Sequence, residues 1–107
     1  MPNQLVGKWF EDLYFHGFHI KATVTYSADG KLASEGVMTR GQRTMKLAIT
    51  GSWKVENGKL VETVATCWPP LLRRGREAAS DFVEISGCVF RYVNEDGDEG
   101  VRTRVAE

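Results

Sequence analysis

Phe18-His19-Ile20-Lys21-Ala22-Thr23-Val24-Thr25-Tyr26-Ser27-Ala28-Asp29-Gly30 decides the fold class. From Phe18 to Tyr26 every second residue is apolar, and His19, Lys21, Thr23 and Thr25 between them are polar. A period of two is that of a strand with one face on a core. Ala28-Asp29-Gly30 then turns the chain tightly. The same unit, a strand closed by a tight turn, recurs on both sides of this stretch.

Upstream, Leu5 to Glu11 reads as a first strand with Leu5, Gly7 and Trp9 on one face. Downstream, Lys31 to Met38 follows the Asp-Gly turn, and its Gly36 marks a bulge or sharp bend. Thr44 to Glu56 places Met45, Leu47, Ile49, Gly51, Trp53 and Val55 on the core face. Asn57-Gly58, a strong hairpin signal, leads into Lys59 to Trp68, rich in Val and Thr. Pro69-Pro70 stops that strand because neither can donate to a ladder. Leu71 to Ser80 suits a short helical turn, and Phe82 to Ile85, Cys88 to Val93 and Val101 to Ala106 complete the set.

The tight turns, with Ser86-Gly87 as a third, alternate with longer connections at Asp12–Gly17, Thr39–Arg43, Pro69–Ser80 and Asn94–Asp98. Strands that run up and down put all tight turns at one end and all long loops at the other. The expected fold is all-β, an eight-stranded antiparallel up-and-down barrel forming one domain over residues 1–107. Closure removes both edges and leaves room for side chains or one small ligand. An immunoglobulin-like sandwich is the rival, but only the 69–80 connection is long enough for a Greek-key crossover.

Acidic and basic residues number 14 each, which argues against a nucleic-acid partner. No apolar run approaches the ~20 residues of a membrane-spanning helix. Met1-Pro2-Asn3-Gln4 carries no signal-peptide pattern. Cys67 falls near the rim and Cys88 just after a basal turn, on the order of 20 Å apart at the rise of a strand. A disulfide needs Cα atoms within ~7 Å, so two free thiols are expected. Both observations favour a cytoplasmic location, with a periplasmic one open if a signal has been removed.

Leu5-Val6-Gly7-Lys8-Trp9 resembles the Gly-x-Trp signature of the calycin superfamily, and more specifically that of small bacterial lipocalin-like domains. The resemblance continues through Tyr26-Ser27-Ala28-Asp29-Gly30, a second Gly-x-Trp hairpin from Gly51 to Leu60, the acidic turn at Asp96-Gly97 and the closing Arg104-Val105. It covers nearly the whole chain. It implies that the signature Trp9 packs across the barrel base beneath a last-strand arginine, with Arg104 the first candidate and Arg102 the second. Trp53 lies at the same end, and Gly7 allows close approach there.

Catalytic groups are sparse. His19 falls on a polar face, and His16 sits among Leu13, Tyr14, Phe15 and Phe18 without a metal-spaced partner. No nucleophile or phosphate-loop motif appears. The 94–100 segment is acidic but lacks a calcium-loop pattern. No catalytic residue, metal or cofactor is therefore expected. The 12–17 connection offers Tyr14 and Phe15; the 69–80 connection offers Leu71, Leu72, Arg73, Arg74 and Arg76 beside Trp68. Aromatics beside arginines at a cavity mouth suit a small hydrophobic or amphipathic molecule. The same residues suit a protein-interaction module, homodimeric or inhibitor-like, with a self-filled barrel. A third reading has Leu71 and Leu72 simply capping the barrel mouth. The candidate ligand contacts are Tyr14, Phe15, Tyr26, Met45, Glu62, Trp68, Arg73, Arg74 and Tyr92.

Glu62 shares its strand face with Leu60, Val64 and Trp68. With that face inward it is a buried carboxylate in need of a partner. With Val61, Thr63, Ala65 and Cys67 inward it is surface. The alternation leaves both arrangements open.

Overall fold

The computed structural model describes residues 4–15, 17–70 and 72–105. His16 and Leu71, named above, lie outside the described residues, as do Met1 to Asn3 and Ala106. Eight strands follow one another: β1 (Gly7–Phe15), β2 (Phe18–Tyr26), β3 (Lys31–Arg40), β4 (Arg43–Glu56), β5 (Lys59–Trp68), β6 (Glu77–Ile85), β7 (Val89–Val93) and β8 (Glu99–Arg104). Each pairs antiparallel with its neighbours in sequence, and β8 returns to β1, closing an up-and-down barrel. Among the described residues no helix is long and apolar enough to cross a membrane.

The alternation that announced β2 is the one observed. Ile20, Ala22, Val24 and Tyr26 are buried, and the lysine and threonines between them are not. Two connections are shorter than expected. β1 runs on to Phe15, leaving two residues before β2, and β3 and β4 are joined by Gly41 and Gln42 alone. The first follows from Leu13 and Phe15, which continue the inward face begun by Trp9. The described residues of the 69–80 segment form no helical turn. Its second part starts β6, paired from Glu77 to β5, so the long connection is 69–76.

Gly36 is not a bulge. The register runs through it unbroken, and a Cβ there would lie 2.1 Å from the Lys21 carbonyl oxygen, so the glycine admits close strand contact. The bulge falls across β4 and β5, where Thr50 pairs with Thr66 but Gly51 pairs with Val64, leaving Ala65 as the extra residue.

The two ends of the barrel are built differently. The base is filled by Leu5, Trp9, Val24, Tyr26, Leu32, Trp53, Leu60 and Phe90. Each such apolar side chain stabilises by ~1.5–3 kcal/mol when fully buried. Toward the rim, Ile20, Ala22, Met38 and Leu47 make a smaller cluster with Leu13, Phe15, Phe18 and Ile49. Closure there is incomplete. β8 pairs with β1 only at Trp9, Phe10 and Glu11, and β5 pairs with β6 only from Lys59 to Thr63. Beyond those pairs, among the described residues, the outer edges of β1 and β5 have no strand partner. The 69–76 connection is anchored at β5, where Gly75 N donates to Val64 O at 2.7 Å and Val64 N to Arg76 O at 2.9 Å.

Candidate functional site

Inward positions on four strands bring Glu11, Tyr26, Glu62 and Arg102 together between the filled base and the open half. Glu11 and Arg102 are register partners on β1 and β8. Arg102 Nε donates to Glu11 Oε2 at 2.7 Å, and Arg102 Nη1 lies 3.5 Å from Glu62 Oε2. The Tyr26 hydroxyl donates to Glu62 Oε2 at 2.6 Å and accepts from Arg102 Nη1. The guanidinium also lies 4.8 Å from the centre of the Tyr92 ring and 5.5 Å from that of Phe90. Arg102 is 7% exposed. An arginine so deep is tolerable only when paired and hydrogen-bonded.

The electrostatics follow from that burial. Desolvation works against the Arg102 charge, but Glu11, Tyr26, Glu62 and Tyr92 outweigh it and hold the group well above the usual guanidinium value. Desolvation pushes the Tyr26 phenol well above its ordinary 10.0, although Arg102 pulls the other way. Tyr92 is raised for the same first reason. Both phenols stay protonated, and Tyr26 remains a hydrogen-bond donor to Glu62.

Above this layer is a cavity of about 230 Å³ whose lining includes Glu11, Glu62 and Arg102, the apolar Phe15, Val24, Leu32, Ile49, Val64 and Leu72, and Ser34 and Arg76. A further space of about 140 Å³ shares Glu11, Phe15, Ser34, Ile49 and Leu72 and adds Leu13, Ile20, Leu47 and Cys67. The interior is thus partly filled: packed at the base, hollow above the charged layer.

The sequence-derived candidates divide three ways. Phe15 and Glu62 line the cavity, and Tyr26 and Tyr92 stand against Arg102 at its floor. Met45 is 39% exposed and lies in a surface cleft with Phe18 and Arg40; Arg73 and Arg74 are exposed, and Arg76 is the arginine in the lining. Tyr14 is 77% exposed on the outer face and stacks on His19 at 4.6 Å, where His19 Nε2 meets Asp12 Oδ1 at 2.5 Å. Trp68 is 68% exposed. The Ala65 bulge reverses the alternation, so Glu62 and Val64 face in while Cys67, not Trp68, lines the upper space. Of the two arrangements open for this strand, neither holds over its full length.

Glu11, Ser34 and Arg102 also line the cavity, beyond the contacts expected from sequence. Glu11 shares the parity of Trp9, and Arg102 that of Arg104, so alternation carried the signal for both. Ser34 is a small polar residue on the inward face of β3, and nothing in its neighbours marks it.

At the base, the Arg104 guanidinium sits 4.2 Å over the centre of the Trp9 ring. It donates to the carbonyls of Gln4, Val6 and Gly87, while Trp9 Nε1 donates to Leu5 O at 2.9 Å. Gly7 adopts φ +132°, and a Cβ there would lie 2.5 Å from Arg104 Nη1. Trp53 Nε1 donates to Ser27 O at 3.0 Å and its ring meets Tyr26 edge-on. The described cysteines, Cys67 and Cys88, are free.

An eight-stranded barrel in sequential order, plugged at one end by a tryptophan–arginine stack and hollow toward the other, defines a lipocalin-like fold. Among solved structures, a lipocalin-like protein from Bacteroides uniformis ATCC 8492 matches with a TM-score of 0.67 at 12% sequence identity, covering 95% of this chain and 99% of that one. At that identity the likeness is one of fold. No family model matches the chain, nor does any curated protein.

Proposed function

We propose that this chain is a non-catalytic binding protein that takes one small hydrophobic or amphipathic molecule into the open half of its barrel. The observation that carries this reading is the hollow of about 230 Å³ with apolar walls and a hydrogen-bonded charged floor. That volume lies just below the ~300–1,000 Å³ of ordinary ligand pockets, which restricts the occupant to a compact molecule. Phe15, Ile49, Val64 and Leu72 contact its body, Glu62 and the Arg102 layer bound its inner end, and Arg76 is the exposed cation of the lining. A purely structural layer would be packed over; here the hollow begins directly above it. The interaction-module alternative presumes a self-filled barrel, and the same hollow weighs against that premise.

Titration calorimetry with indole tests the proposal. Saturable binding at about one site per chain, abolished in Ile49→Trp, is the expected result, since the new side chain occupies the cavity itself. An absence of saturable binding up to the solubility of the probe overturns it.

A further inference from the structure

The cavity floor carries two carboxylates, Glu11 and Glu62, against one guanidinium, Arg102, so formally it is one negative charge in excess. Arg102 Nε and Nη1 already donate to Glu11, Tyr26 and Glu62. Glu62 presents the more open carboxylate of the two, its side chain 22% exposed against 11% for Glu11. Ser34 is 6% exposed and lines both parts of the hollow, yet among the described residues its hydroxyl has no hydrogen-bond partner. No sealed side-chain oxygen or nitrogen among the described residues lacks a partner, so the unpaired Ser34 hydroxyl is open to the hollow rather than enclosed by protein. Its free valence faces the space that a ligand would occupy.

We infer that the inner end of the ligand is a protonated amine, received by the Glu62 carboxylate and the Ser34 hydroxyl, with the apolar body of the molecule lying against Phe15, Ile49, Val64 and Leu72. This inference rests on the binding role proposed above and specifies its chemistry. An ammonium group offers donors and a positive charge, and the floor offers acceptors and a negative excess. A carboxylate entering head-first would meet two like charges in a poorly solvated space, where Coulomb repulsion is weakly screened. A bare hydrocarbon end would leave Ser34 unpaired and strip water from Glu62 without replacing it. Arg76, the other cation of the lining, is exposed and belongs to the 69–76 connection, so the charge along the cavity changes from positive at the connection to negative at the floor. That gradient orients a cationic head inward.

Three probes with one phenyl-alkyl body separate the outcomes: 3-phenylpropylamine, 3-phenylpropanol and 3-phenylpropionate, titrated into the full chain at pH 7 and followed by calorimetry and amide chemical shifts. The expected order is amine, then alcohol, then carboxylate, with the amine at least about tenfold tighter than the carboxylate. In Glu62→Gln the preference for the amine falls to within about threefold. Ser34→Ala, which adds no bulk, weakens the amine and the alcohol while leaving the carboxylate unchanged. It supplies the second reading should Glu62→Gln not fold. Cavity binding in which the alcohol or carboxylate equals or exceeds the amine overturns the inference and leaves the binding role standing. Full retention of the amine preference in both variants overturns the assignment to Glu62 and Ser34. Failure of all three probes to bind in the cavity overturns the inference together with the proposed role.

Discussion

Arg102 Nη1 lies 3.5 Å from Glu62 Oε2, joining β8 to β5, two strands that are not neighbours in the barrel wall. The contact crosses the interior, and with Glu11 and Tyr26 it makes a transverse layer. Below the layer the core is apolar and filled; above it the barrel is hollow. The layer therefore acts on both halves: it ties opposite walls together and gives the cavity a charged floor.

Removing the guanidinium leaves two carboxylates facing an apolar interior. Arg102→Met is expected to destabilise the fold by ~3–5 kcal/mol at pH 7, the magnitude for breaking a buried pair on one side. Adding Glu62→Gln to that variant should recover part of the loss, because the stranded charge is then gone. Urea unfolding of both variants and of Glu62→Gln alone closes the cycle.

Tyr26 carries a pH signature. Burial raises its folded-state value well above 10.0, while the unfolded phenol titrates near 10.0. Below that pH the stabilisation is fully present. As pH rises beyond it the unfolded state releases its proton first and stability falls. Tyr26→Phe lacks this term, so at pH 8 it should be less stable than the wild type by ~1–2 kcal/mol, and the gap should narrow at pH 11. Some alkaline slope persists in the variant, since Tyr92 is raised in the same direction. Unfolding free energies at the two pH values decide the matter.

The base is separate from the hollow. Arg104→Lys keeps the charge but loses the planar fork that covers Trp9 and reaches three carbonyls. It should cost roughly 1–2 kcal/mol in denaturant unfolding and leave indole affinity unchanged. A change of affinity would mean that the two halves are coupled.

The bulge at Ala65 assigns Trp68 to the outside. Trp68→Ala and Tyr14→Ala are each expected to alter probe affinity by less than about twofold, as surface changes do. Phe15→Ala, which strips a wall from the cavity, should weaken it by about tenfold. Calorimetric titration of the three variants compares them directly.

The barrel was legible because its evidence is local. The Phe18–Tyr26 alternation, the Asp29-Gly30 and Asn57-Gly58 turns and the proline stop at Pro69 each act within a few residues. Two things were not local. The bulge depends on how β5 meets β4, and Ala65 carries no mark of it; without the bulge Trp68 sits on the face of Glu62. The charged layer depends on closure: Glu11 and Arg102 are 91 positions apart, and only the return of β8 to β1 makes them partners. Alternation placed each residue on an inward face, but no alternation states which inward residues meet. Leu13 and Phe15 show the opposite failure. Their alternation with Asp12 and Tyr14 is readable in the sequence, and it carries β1 through the expected 12–17 connection as far as Phe15.

The central claim is that the space above Arg102 holds a small molecule. An amide chemical-shift map recorded during an indole titration tests it most directly. Saturable shifts at Phe15, Ser34, Ile49, Val64 and Leu72, with Lys21 and Lys54 on the outer wall unmoved, are the expected result. Shifts confined to the outer wall, or none at saturating probe, would contradict a binding cavity and leave the charged layer a purely structural tie.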